Sequence, residues 1–282
     1  MMESFVCGNP EASQKFYERN KQVIEAATKT HDLCYEMMRL AHPKLKDQER
    51  TMLWLLVASC LREFEEIMLL AGNGFGTGAT KLMRAFYERT VTLSYLATEE
   101  GTKEIQRFVD YSAVHWHQML VEADEIHPGF KISPESRQKI LDDYEQALKT
   151  FKDEKCPTCR RRPQLSWTRA SMKDMASKVS DHVRMLCFNA YLTPTFHLHT
   201  THWGTLNQSE RSDGGKLRFS GDNIQEEGAQ EAFDNAYFLL MQVMDVLDQT
   251  FELGMAEQLQ AHGWEWVKAC ETVASGEMRR VR

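Results

Sequence analysis

Apolar residues recur along this chain every three or four positions, the spacing that lines them up on one side of a helix. From Phe16 the small and apolar positions fall at Val23, Ala27, Thr30, Cys34, Met37 and Ala41, and Pro43 ends the run. A second helix is expected over residues 48–71, with Leu53, Val57, Cys60, Phe64 and Ile67 inward and Gly72 as its stop. A third begins near Thr77 and carries Ala79, Leu82, Met83, Phe86, Thr90 and Leu93. A fourth starts at Thr102, turns Ile105, Phe108, Val109, Ser112, Trp116, Met119 and Ala123 inward, and closes before Gly129. Ser133 followed by Pro134 reads as a capped start with proline at the first helical position. That fifth helix, to about Lys152, is polar and belongs on the outside. Ser171 opens a sixth, with Met172, Met175, Val179, Val183 and Leu186 inward, and Thr193-Pro194 breaks it. Two further helices are expected over residues 224–253 and 255–273.

No strand pattern longer than a few residues interrupts this rhythm, and only 7 prolines do. The expected fold is all-α. It is a single domain over residues 1–282, with about seven or eight helices built on an antiparallel helical bundle. Residues 207–222 are polar and Gly-rich and read as a loop. The segment 156–167 is the nearest thing to a linker.

Composition narrows the setting. A net charge of −7 argues against broad attraction to nucleic-acid backbones and leaves a local basic patch open. No apolar run has the length to cross a bilayer, and residues 1–10 lack the charged and apolar regions of a secretory signal. The 7 cysteines are odd in number and scattered, which fits free thiols in a reducing compartment. A soluble, cytoplasmic protein is the expectation.

Several clusters bear on chemistry. The alternation Gly72, Gly74, Gly76, Gly78 invites a phosphate-loop reading, but such loops follow a strand, and these glycines follow a helix. A connection between two packed helices fits better, although the helix start at Thr77 retains the capacity of any such start to bind an anion. Cys156 and Cys159 make half a zinc site without a second pair, so no metal is expected. Arg160, Arg161 and Arg162 beside them form a basic spot. His115 and His117 lie two apart on a helix, point away from each other and cannot share an ion.

Two segments are more informative. Arg84 and Glu88 are four apart on the third helix and can touch. They lie among Val91 and Tyr95 on a second, partly apolar face, so the pair is expected to be buried and in contact. The segment from Thr193 to His202 holds three of the ten histidines. If Pro194 starts a helical turn, Thr195, His199 and His202 share a face; if the segment is extended, His197 and His199 do, and His202 leaves it.

These segments carry a resemblance. The stretch from Gly78 to Glu88, with Leu93 and Tyr95 after it, is similar to the signature helix of domain-of-unknown-function family 5677, a bacterial family with an Arg and a Glu four residues later in an apolar setting. Its second signature is a Trp-led helix followed by Ser-x-x-x-His. Here Trp167, the helix after it and Thr195 to His199 resemble that pattern, with Thr195 in place of the more frequent Ser and with His197 and His202 as extras. The resemblance covers about residues 48–206. It implies a helical fold and a polar cluster of Arg84, Glu88 and His199, and no established activity. The Arg-to-His spacing of four to six residues found in helical defence nucleases of the HEPN type does not occur in this chain.

Two classes of function follow. In one, Arg84, Glu88, Thr195, His199 and His202 line a pocket that binds or hydrolyses a phosphate-bearing ligand, with His199 as acid or base, Arg84 as the anion clamp and Glu88 orienting one of them, without a metal or other cofactor. In the other, the protein is a non-catalytic binding or assembly module, the cluster fixes helix register, and self-association into a homo-oligomer is left open.

Overall fold

The computed structural model describes residues 10–127, 129, 131–152, 163–199, 210–211, 217–218 and 225–280. The expected stripes become the core. Helix α1 (Pro10–Ala41) buries Phe16, Val23, Ala27, Thr30, Cys34, Met37 and Ala41. Helix α2 (Gln48–Gly72) starts where the Asp47 carboxylate accepts a bond from the Arg50 N–H at 2.7 Å. Helix α3 (Gly76–Leu96) buries residues on both of its sides, including Ala79, Phe86, Tyr87, Val91, Leu93 and Tyr95.

The glycine alternation is used for helix contact, as the sequence indicates. Helix α3 packs against α2 and against α11 (Glu226–Phe251), while α12 (Ala256–Arg280) lies along α1. Gly74 turns the chain with φ +81°. Gly76 lies so close to the start of α11 that a Cβ there would come within 2.5 Å of the Gln225 carbonyl oxygen. The Gln225 N–H donates to the Gly74 carbonyl at 2.9 Å. Its side-chain oxygen accepts from the Thr77 N–H at 2.7 Å and from the Thr77 hydroxyl. The helix start at Thr77 is therefore capped from within.

The helices outnumber the seven or eight expected. A short α4 (Glu99–Thr102) precedes the fourth, which itself splits into α5 (Ile105–Asp110) and α6 (Ser112–Ile126). The sixth splits into α8 (Met172–Val179), α9 (Asp181–Cys187), a π-helical turn (Phe188–Leu192) and α10 (Thr193–Leu198). At the first break Tyr111 keeps near-helical angles, φ −64° and ψ −18°. At the second, Ser180 turns extended and its hydroxyl accepts from the Val183 N–H at 3.1 Å, starting α9 afresh. The π turn opens the ladder just before Pro194, which has no N–H to give and would break a regular helix. Residues 210–211 and 217–218 form a short antiparallel ladder.

Where the sequence points to one domain, the residues group into two compact units. One joins the chain up to Thr98 with the chain from Met172, and the other is Glu99–Ser171. The second unit has its own small core of Tyr111, Val114, Ala147 and Phe151, flanked by Tyr144 and Trp167. Helix α7 (Pro134–Phe151) is the polar outer helix expected, with Ala147 and Phe151 as its buried residues. One expectation is reversed here. Trp116 and Met119 of α6 are exposed, at 57% and 60%, not inward. Val114, Leu120 and His117 face the core side, where the His117 ring stacks on Tyr144 at 3.6 Å. Among the described residues no helix is long and apolar enough to cross a membrane.

Candidate functional site

The polar feature of the larger unit lies where α3 meets the π turn and α10. Arg84 and Glu88 are one helical turn apart, and Arg84 Nε donates to Glu88 Oε1 at 3.0 Å. Arg84 Nη1 donates to the Thr195 hydroxyl at 3.2 Å, across 111 residues of sequence. The guanidinium also lies over the Tyr191 ring, 4.9 Å from its centre. Thr195 in turn donates to the Tyr191 carbonyl at 2.6 Å, a bond back into the π turn. Tyr87, one turn along α3, stacks obliquely on Tyr191 at 5.9 Å and donates to the Val183 carbonyl at 3.0 Å. Burial pushes the Tyr87 hydroxyl well above its ordinary pKa, with Cys187 nearby adding to the effect. It is a neutral donor at physiological pH.

The contact between Arg84 and Glu88 is as expected, and so is the meeting of the two segments through Thr195. The burial is not. The two side chains keep 25% and 39% of their surface. No buried charged cluster forms among the described residues. The physical reason is cover: among the described residues the π turn and the six-residue α10 meet the pair through Thr195 and Tyr191, and a charged pair remains where water still reaches it.

The histidines fall differently from one another. Helix α10 ends at Leu198, and His199 follows with extended angles, φ −88° and ψ 146°. Its backbone N–H donates to the Thr195 carbonyl at 3.1 Å. The His199 side chain is exposed and among the described residues makes no hydrogen bond or ion pair with Arg84 or Glu88. His197 is half-buried instead. Burial holds its pKa below the ordinary value, and the Lys81 charge of α3 acts in the same direction. His202 lies outside the described residues, as do Cys156, Cys159 and Arg160 to Arg162. Among the described residues no group of three His, Cys, Asp or Glu side chains is placed to hold a metal ion.

Sequence reasoning misses Tyr191, which supplies the ring under Arg84. Its position three residues before Pro194 is the available signal. It also misses a second Arg–Glu pair. Arg89 grips Glu63 of α2 with two bonds, at 2.6 and 2.9 Å, and Glu63 keeps only 14% of its surface. The model of a family of unknown function, DUF5677, matches residues 50–216. The chain belongs to that family. The DUF5677 region contains α3, both Arg–Glu pairs, Tyr191 and Thr195, and nearly all of α2. No curated protein and no solved structure matches the chain.

Proposed function

We propose that this DUF5677 protein is a non-catalytic binding or assembly module, and that the Arg84 network is a brace within it. The observation that carries this reading is the use of Arg84 inside the protein. One donor goes to Glu88, another to Thr195, and the cation rests on Tyr191. An anion clamp needs an uncompensated charge, and Glu88 supplies the compensation here. The brace ties α3 to a segment whose outer side carries Met185, Phe188, Leu192 and Phe196, all exposed. Four large apolar side chains at near-helical spacing are a surface for a protein partner rather than for a phosphate-bearing molecule.

Thermal unfolding with and without inorganic phosphate separates the two classes. In the brace reading, Arg84→Met loses about 1 kcal/mol without any ligand present, the sum of a helix-surface ion pair and a charged hydrogen bond. Phosphate then leaves the melting temperature of the wild type unchanged. A clamp gives the opposite pattern: phosphate raises the wild-type melting temperature, Arg84→Met abolishes that rise, and the ligand-free stability of the variant does not fall.

A further inference from the structure

Helix α6 carries an apolar stripe that its own unit does not cover. Ser112, Trp116, Met119, Ala123 and Ile126 are spaced four, three, four and three apart, the a/d rhythm of a coiled-coil seam. Trp116, Met119 and Ile126 are exposed at 57%, 60% and 65%. The opposite side of the helix, with Val114, His117 and Leu120, is the one that meets the core and α7. The seam is thus left facing solvent.

We infer that α6 pairs antiparallel with α6 of a second copy of this chain, about a two-fold axis at Met119. The order of side-chain sizes argues for a self-partner. In an antiparallel pair with its axis at Met119, Ser112 falls opposite the partner's Ile126, and Trp116 falls within one residue of the partner's Ala123. Each large residue meets a small one, and Met119 meets its own counterpart. A parallel pair would set Trp116 on Trp116 and Ala123 on Ala123, leaving a bulge and a gap in one seam. The polar flank agrees with size. Flanking the seam on one side are His115 and Glu122, both exposed. In the antiparallel register each His115 lies beside the partner's Glu122, twice by symmetry. The His115 ring is already steadied by an edge contact with Tyr111 at 4.9 Å. The 15-residue helix is about 22 Å long, so the paired area falls at the small end of specific interfaces and the dimer is reversible. The pairing is independent of the Arg84 network.

Sedimentation over a concentration series, with cross-linking beside it, tests the inference on the full chain. The wild type moves from monomer to dimer as concentration rises. Ala123→Trp sets two large rings against each other and weakens the dimer at least tenfold. The double change Trp116→Ala with Ala123→Trp exchanges the large and small positions and restores dimerisation. Under mild oxidation Met119→Cys gives a disulfide-linked dimer beyond any the native thiols form. Trp116→Cys does not, because its thiols lie about 10 Å apart along the axis. A wild type that stays monomeric at every concentration overturns the pairing and leaves the stripe to some other protein. An exchange variant that keeps its helical spectrum but stays monomeric, or equal cross-linking at both cysteines, overturns the register.

Discussion

The two sides of α3 hold an Arg–Glu pair each, and the two pairs are not alike. Toward α2, Arg89 makes two bonds to a Glu63 that keeps 14% of its surface. Toward the π turn, Arg84 makes one bond to a Glu88 that keeps 39%. The first pair joins two long helices beside the buried Cys60 and Thr90, with its carboxylate covered while Arg89 keeps 39% of its surface. Cys34 and Cys60 show how dry that side is, since burial raises the Cys34 thiol to about 12 and Cys60 further still. The second pair sits under a short, broken segment. The same two residue types thus serve two purposes. One pair locks helices whose contact is already fixed by apolar area, and the other supplies the contact where apolar area is thin.

Close packing of α3 extends to α11 as well. Gly76→Ala should be the most damaging small change in the protein. Its methyl group would meet backbone atoms of Gln225 and Ala229 at 2.5 and 2.6 Å, which cannot rotate away. The expected loss is about 3 kcal/mol, the upper part of the range for overpacking, and urea unfolding measures it. A variant as stable as the wild type would show that α3 and α11 are not pressed together there.

The same neutralising change on each side is the next comparison. Glu63→Gln breaks a two-bond pair at a nearly covered carboxylate and should cost about 2 kcal/mol. Glu88→Gln breaks a one-bond pair on an open helix surface and should cost about 0.5 kcal/mol. Equal losses in urea unfolding would erase the distinction between the two sides.

Much of this architecture is legible in the amino-acid sequence. The core stripes of α1, α2 and α3 follow from spacing alone, because a three–four period leaves one answer for which side is inward. The contact of Arg84 with Glu88 follows from one helical turn. Depth does not follow from it. How far a pair is buried depends on the element lying over it, and the breaks at Ser180 and at the π turn leave that cover short. Glu63 and Arg89 stand on different helices, 26 residues apart, and their only signal is a place beside the core positions Cys60 and Phe86. In α6 the spacing reveals the period and not the direction. That helix has two apolar sides, and the choice between them rests on α7, which packs through His117 and Tyr144 rather than through an aliphatic stripe. Among the histidines, the end of α10 at Leu198 leaves His199 extended and turned outward, with His197 toward Lys81. Nothing in the three–four spacing of Thr195, His199 and His202 marks that stop.

The central claim is that Arg84 holds the π turn and α10 onto α3. Backbone hydrogen exchange over residues 188–199, compared between the wild type and Arg84→Met, tests it most directly. The account predicts that protection of the Thr193 and His199 amides, which donate to the Phe188 and Thr195 carbonyls, falls in the variant while the amides of α2 and the core side of α3 keep theirs. Unchanged protection at Thr193 and His199 in a folded Arg84→Met protein would contradict it.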